Sequence, residues 1–221
     1  MIKILNIETS SKNCSVSIGI DGKTEVLCEE ISPDYKHSEC LHTFVQWALE
    51  GAELSLKDMQ AVCVSAGPGS YTGLRIGTAS AKGFCFGCDI PLIALNSLRI
   101  LAEPTFRQEY EIVVPLMDAR RMEVYTAVFD AQGKMLEETQ AHILNEHSFE
   151  KYRNRKILFI GNAVEKTEKF FRENNLVFSH ADFKSAEPSA ENMSGLSYQK
   201  FQNQEFEDTA YFDPMYLKEW K

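Results

Sequence analysis

The residues of this 221-residue chain best suited to chemistry gather around one glycine-rich turn. Ala61-Val62-Cys63-Val64 reads as a short buried strand, Gly67-Pro68-Gly69-Ser70 as a turn, and a helix is predicted from Ser70 to Gly87. A strand-to-helix turn of this kind aims backbone N–H groups and the positive end of a helix dipole into a crevice, which suits phosphate. The candidates for such a role are Gly67, Gly69 and Ser70, together with Glu8 and Ser10 of the hydroxyl-rich elbow Glu8-Thr9-Ser10-Ser11 and Asp118 of Asp118-Ala119-Arg120-Arg121. Glu8 and Asp118 could hold a metal or position a phosphate through water, or each could cap a turn. The spacing argues against a general nucleotide loop. Gly67, Gly69 and Gly73 form G-x-G-x-x-x-G, one residue longer than the dinucleotide fingerprint, and the turn lacks the Walker lysine. The elbow at Glu8 also has no glycine to let the backbone approach a phosphate.

No other set of residues assembles a reaction centre. Cys85-x-x-Cys88 has the spacing of half a zinc site, but no second ligand pair accompanies it, and the six scattered cysteines read as reduced core thiols. His37 and His42 point about 140° apart on a helix, so they cannot share one metal, and capping or surface roles follow. His142, His147 and His180 lie in polar surroundings without ligand spacing, and no G-x-S-x-G elbow is present.

The elements that would position these residues occur twice. In the first half, strands at Ile2 to Glu8, Cys14 to Ile20 and Thr24 to Ile31 surround an Asp21-Gly22 hairpin turn. Pro33-Asp34 then opens a loop. A helix follows in which Cys40, Leu41, Phe44, Val45, Ala48 and Leu49 form an apolar stripe ended by Gly51, and a short strand at Pro91 to Leu95 follows the glycine turn and its helix. In the second half, strands at Ile112 to Met117, Glu123 to Phe129 and Met135 to Thr139 lead to a strand and glycine at Ile157 to Asn162 and a helix at Ala163 to Phe171. An acidic residue ends the first strand of each half and an Asp opens each hairpin turn (Glu8 and Asp21, Asp118 and Asp130). Two β-β-β-α-β-α lobes, 1–103 and 104–221, are therefore predicted, the α/β architecture of the actin, Hsp70 and sugar-kinase (ASKHA) class, with Glu8 and Asp118 near an interlobe cleft. Ser189 to Phe201 can be helical. A count of 23 Lys and Arg against 32 Asp and Glu gives a formal charge of −9, which disfavours autonomous nucleic-acid binding. No stretch has the roughly 20 apolar residues of a membrane span, and the strand-like start points to a cytoplasmic protein.

Ile7-Glu8-Thr9-Ser10, His37-Ser38-Glu39, the eleven residues Gly67 to Gly77 (GPGSYTGLRIG), Asp118-Ala119-Arg120 and Pro214-x-Tyr216-Leu217-Lys218 together resemble the TsaB (YeaZ) family of tRNA threonylcarbamoyladenosine biosynthesis. The resemblance covers nearly the whole chain. It implies the two-lobed fold and a noncatalytic paralogue of TsaD, whose metal sits on an N-H-x-x-x-H motif. On this chain that motif falls at Asn96, Ser97 and Leu101, so both histidines are missing and the metal is expected to be absent. The resemblance further implies a heterodimer with TsaD through helices 37–50 and 70–87, TsaE as an ATPase partner, tRNA met only through the complex, and ATP or ADP bound only there. The interface expected is Leu41, Phe44 and Val45 with the small ridge Gly73, Gly77 and Ala81 and its neighbours Thr78 and Lys82. One face of each helix must pack inside its own lobe, which leaves two assignments of the docking side, and a free apolar face also allows a homodimer. An ATP-dependent enzyme working in the interlobe cleft is the alternative reading, and a metallopeptidase ranks last.

Overall fold

Buried alternation on both faces builds the first sheet of this computed structural model. The strands are β1 (Lys3–Glu8), β2 (Asn13–Ile20), β3 (Lys23–Ile31), β4 (Ala61–Ser65) and β5 (Leu92–Leu95), in the order β3-β2-β1-β4-β5. β1, β2 and β3 pair antiparallel, whereas β4 lies parallel to β1 and to β5. Helices α1 (His37–Gly51) and α2 (Tyr71–Cys88) fill the crossovers. They cover one face, where Leu5, Ile7, Val16 and Ile18 pack with Leu41, Val45, Ala48, Val64, Ala81 and Cys85. The described residues are 1–32, 37–106 and 109–218, so the loop expected at Pro33-Asp34 lies outside them.

The chain divides into two units, Met1–Ile100 with Pro188–Tyr216, and Leu101–Glu187 with Leu217–Lys221. This corrects the expectation of a single lobe over 104–221. A short α3 (Ser97–Ala102) runs across the division, and the segment after Pro188, with a 3₁₀ turn at Ala190–Met193 and α5 (Ser194–Gln202), returns to cover the second face of the first sheet. The reason lies in the polar alternation of β2, which reads in sequence as a solvent face. Ser17 Oγ donates to the Ala190 carbonyl (2.8 Å) and Ser15 Oγ accepts from the Ala190 N–H (2.9 Å). Asn6 Nδ2 donates to Ser17 Oγ (3.1 Å) and Ser194 Oγ (3.3 Å), and Asn13 Nδ2 to the Pro188 carbonyl (3.1 Å). Gly19 leaves room for the approach, since a Cβ there would meet Ser194 Oγ at 2.8 Å. Ala190 and Met193 then complete an apolar cluster with Ile4, Ala61, Cys63 and Ile93.

The second unit repeats the topology. Strands β6 (Ile112–Asp118), β7 (Glu123–Asp130), β8 (Met135–Ile143), β9 (Lys156–Ile160) and β10 (His180–Lys184) run in the order β8-β7-β6-β9-β10, with α4 (Val164–Glu173) between the last two. Where the first unit has α1, this one has only a 3₁₀ turn at Glu150–Tyr152. Its core is aromatic, with Phe159 stacked on Phe183 (5.1 Å) and Phe171 on Phe178 (4.9 Å). Two copies of one five-stranded order identify the duplicated ASKHA-class fold. Among the described residues no helix is long and apolar enough to cross a membrane.

Truncating fully buried Met193 to Ala should cost about 2–5 kcal/mol of stability, read by urea denaturation of the whole chain. In the second unit His142 packs on Phe149 and shares a 2.8 Å hydrogen bond with Ser148 Oγ; burial lowers its pKa, partly opposed by Glu137. A base whose folded pKa lies below its unfolded value of about 6.5 resists protonation in the native state. The resulting stability is present above pH 6.5 and falls as the pH drops through that value. His142→Gln should flatten the melting temperature between about pH 7 and 5 relative to the parent.

Candidate functional site

At the carboxyl end of β1 the chain makes the Glu8–Ser11 elbow, which is buried throughout. The glycines of the following turn and helix exist to let this elbow in. A Cβ on Gly69 would stand 2.2 Å from the Ser10 carbonyl oxygen, one on Gly73 2.0 Å from that of Thr9, and one on Gly77 2.3 Å from Thr9 Oγ1. Ser70 N–H donates to the Ser10 carbonyl (2.6 Å), Thr9 Oγ1 donates to the Gly73 carbonyl (2.8 Å), and Thr9 N–H to Ser65 Oγ (3.3 Å). Ser70 caps α2 by accepting from Gly73 N–H (3.3 Å), a contact of about 1 kcal/mol. Ser70 N–H and Gly73 N–H thus have partners within the chain, whereas Ser10 Oγ is buried without one among the described residues. Gly67, held at φ +91° against the Met215 carbonyl, accepts from Ser97 N–H (2.9 Å), and Glu8 Oε1 accepts from Ser10 N–H (2.5 Å).

The same packing corrects the expected docking face. Leu41, Phe44, Val45, Gly73, Gly77, Thr78 and Ala81 are buried in the first unit, where Leu41, Phe44, Val45 and Ala81 belong to its core and the two glycines receive the elbow. Lys82 is half-buried and donates to the Ala210 and Phe212 carbonyls (both 3.0 Å), fastening the C-terminal segment. The exposed side of α2 carries Thr72, Arg75, Ala79, Gly83, Phe86 and Gly87. Phe86 is 90% exposed, and a Cβ on Gly83 or Gly87 would meet nothing within 4 Å. On α1 the exposed side carries His42, Gln46 and Trp47, the last 54% exposed. His42 links the two helices through Ser80 Oγ (3.3 Å) and an edge contact with Phe84, whereas His37, expected to cap or face solvent, is buried. The signal for the free side was present in the sequence as a second run of small residues, Ala79, Gly83 and Gly87, beside the first.

Asn96 matches the first position of the metal motif, but its Oδ1 accepts from the N–H groups of Leu98 (2.9 Å) and Arg99 (3.2 Å) and so caps α3. Ser97 and Leu101 are buried, and a hydrocarbon side chain cannot ligate, so these positions do not fit the metal. Among the described residues no group of three or more His, Cys, Asp or Glu could hold a metal ion. No disulfide joins the cysteines. Burial raises the Cys85 thiol to about 11 and Cys14 to about 12.

Asp118 belongs to the second unit and Glu8 to the first. Asp118 is exposed, pairs with Lys166 and accepts from Arg120 N–H (3.2 Å), at the mouth of the β6–β7 hairpin. Arg120 and Arg121 in that hairpin both adopt left-handed backbone conformations (φ +68° and +49°), each costing about 1–2 kcal/mol for a residue with a Cβ.

The two kinds of glycine in α2 should respond oppositely to one added methyl. Gly73→Ala should lose about 1–3 kcal/mol or more by forcing the elbow away. Gly83→Ala should gain up to about 1 kcal/mol through helix propensity. Chemical denaturation of both variants measures the difference, and equal effects would place the elbow contact elsewhere.

The family model described as "TsaD: tRNA N6-adenosine threonylcarbamoyltransferase" matches residues 29–218. The tRNA threonylcarbamoyladenosine biosynthesis protein TsaB of Escherichia coli K12 is 29% identical over 100% of this chain and 97% of its own length. TsaB of Bacillus subtilis 168 is 33% identical over 72% of this chain and 70% of its own. Among solved structures, YeaZ from Pseudomonas aeruginosa superposes with a TM-score of 0.78 at 22% identity, covering 98% of this chain and 100% of that one, which shows a shared fold. With the elbow, glycine turn and duplicated sheets in place, these matches show that the chain belongs to the TsaB family, within the wider family that the TsaD model describes.

Proposed function

We propose that this chain is a noncatalytic scaffold subunit in tRNA threonylcarbamoyladenosine biosynthesis, docking a TsaD partner through the exposed sides of α1 and α2. The observation that carries the reading is the open space at Gly83 and Gly87. A glycine inside a helix costs up to about 1 kcal/mol relative to alanine, and nothing within the chain requires one at either position. A second helix backbone approaching closely would require both. Phe86 and Trp47, large and exposed on the free sides of the two helices, supply anchors of the kind that dominate interfaces. Family membership supports the pathway, and the poor fit of Asn96, Ser97 and Leu101 to a metal supports a noncatalytic role.

In this reading TsaE acts as an ATPase on the assembly, tRNA is met through the complex, and ATP or ADP binds only there. The chain contributes by binding one arrangement of TsaD more tightly than others, shifting its population toward the form competent for transfer. The commitments at the head of α2 leave the enzyme alternative with less to hold a phosphate.

Light scattering of the chain alone and mixed with TsaD tests the docking. Gly83→Leu and Phe86→Ala should each weaken the mixed complex by about tenfold or more while melting normally. Undiminished association in both variants would refute this face. A homodimer of the free chain lost through the same substitutions would show that a second copy uses it too.

A further inference from the structure

We propose, resting on the docking reading above, that Lys82 is a positioning residue: through the segment Asp208–Tyr216 it holds the Arg75 guanidinium where a carboxylate of the protein docked on α2 meets it. α2 carries two charged side chains, Arg75 and Lys82, and no acidic one. They are used differently. Lys82 is half-buried, and its ammonium is taken up by two carbonyls of the C-terminal segment, those of Ala210 and Phe212, both at 3.0 Å. That segment contains no helix or strand, so side-chain fastening sets its path. The Phe212 side chain packed against the core, and Met215 N–H donating to the Ala66 carbonyl (2.7 Å), complete the fastening. Together they bring Tyr216 to the head of α2, where its ring centroid lies 4.9 Å from that of Tyr71. The Arg75 guanidinium in turn sits over the Tyr71 ring, 4.2 Å from its centroid.

Arg75 is exposed on the side of α2 that also carries Gly83 and Phe86, and among the described residues it has no hydrogen-bond or ion-pair partner. The chain is −9 overall, yet this side of the helix displays one cation and no anion, which is complementary to an acidic side chain of a partner. An unrestrained arginine samples many rotamers, and fixing it on binding costs affinity. Stacked on Tyr71, Arg75 has given up much of that freedom beforehand. Its edge keeps the N–H fork that a carboxylate accepts bidentately. Gly83 lies eight residues further along the helix, about 12 Å at 1.5 Å per residue. A helix crossing at Gly83 can therefore present its acid to Arg75 from about two turns away.

Calorimetric titration of TsaD into the full chain across a salt series tests both parts. Arg75→Gln should weaken the complex about fivefold or more and flatten its salt dependence, whereas Arg75→Lys should keep the salt dependence and recover only part of the affinity. Lys82→Met should cost a similar factor, and Lys82→Arg, which can still donate to both carbonyls, should restore it. Added to Arg75→Gln, Lys82→Met should cost nothing further, whereas a purely structural role would add its own loss. Tyr216→Ala cuts the stack without touching the Lys82 contacts and repeats the measurement if Lys82→Met melts early. On the chain alone, the Arg75 side-chain protons should resonate upfield in the ring current of Tyr71 and return to free-arginine positions in Lys82→Met. Undiminished affinity in Arg75→Gln, a loss without change in salt dependence, additive losses at the two positions, or Arg75 resonances unmoved in Lys82→Met would each overturn the proposal. If Gly83→Leu and Phe86→Ala weaken the complex and Arg75→Gln does not, the docking reading stands and the role of Arg75 falls. If wild type does not bind TsaD, the docking reading falls, and the positioning by Lys82 is judged by the resonances of the chain alone.

Discussion

The first unit depends on the contact between the Glu8–Ser11 elbow and the glycine-lined side of α2. Gly69 and Gly73 admit backbone carbonyls, and Gly77 the Thr9 hydroxyl, to separations that no Cβ would tolerate, and the hydrogen bonds from Ser70 to Ser10 and from Thr9 to Gly73 lock the approach. The contact sets the seating of α2 on the sheet, hence which residues of the helix face inward and which remain outside. It also turns a turn of phosphate-binding appearance into a structural joint. The dipole and N–H groups at a helix start need a negative partner, and here a carbonyl and a serine hydroxyl from the chain itself provide it.

Most of the fold was legible because its elements have strong local signatures. The alternation of β1 and β2, the Asp21-Gly22 turn, the stripe of α1 and the Ser70 cap each specify themselves within a few residues. The return of Pro188–Tyr216 was not legible, because Ser15, Ser17 and Asn6 look like solvent-facing polar residues until a distant backbone supplies their partners. β10, as His-Ala-Asp-Phe-Lys, alternates with too few apolar residues to stand out, and its pairing with β9 decides it. The residues expected to dock face inward for a related reason. A ridge of small residues announces close approach but not the identity of what approaches, and at Gly73 and Gly77 it is the chain's own elbow.

The duplication has been put to different uses in its two copies. Both sheets keep one strand order, but the second unit replaces the helix after its third strand with a 3₁₀ turn and fills its core with stacked phenylalanines. The acidic residue ending the first strand has diverged as well. Glu8 is sealed inside, whereas Asp118 is exposed and balances a lysine that holds the neighbouring hairpin. One ancestral position thus serves internal order in one copy and surface charge in the other.

The polar seam between β2 and the Ala190 turn joins residues separated by 175 positions. During synthesis, therefore, the first sheet emerges from the ribosome with one face uncovered, and it waits for nearly the whole chain before that face is closed. At about 5–20 residues per second the wait is of order ten seconds or more, long on the scale of collapse and helix formation. Most of the second unit, Leu101–Glu187, lies unbroken in between and can condense earlier. The body of the second unit can thus be complete before the first, and Pro188–Tyr216, made late, is the segment that finishes the first.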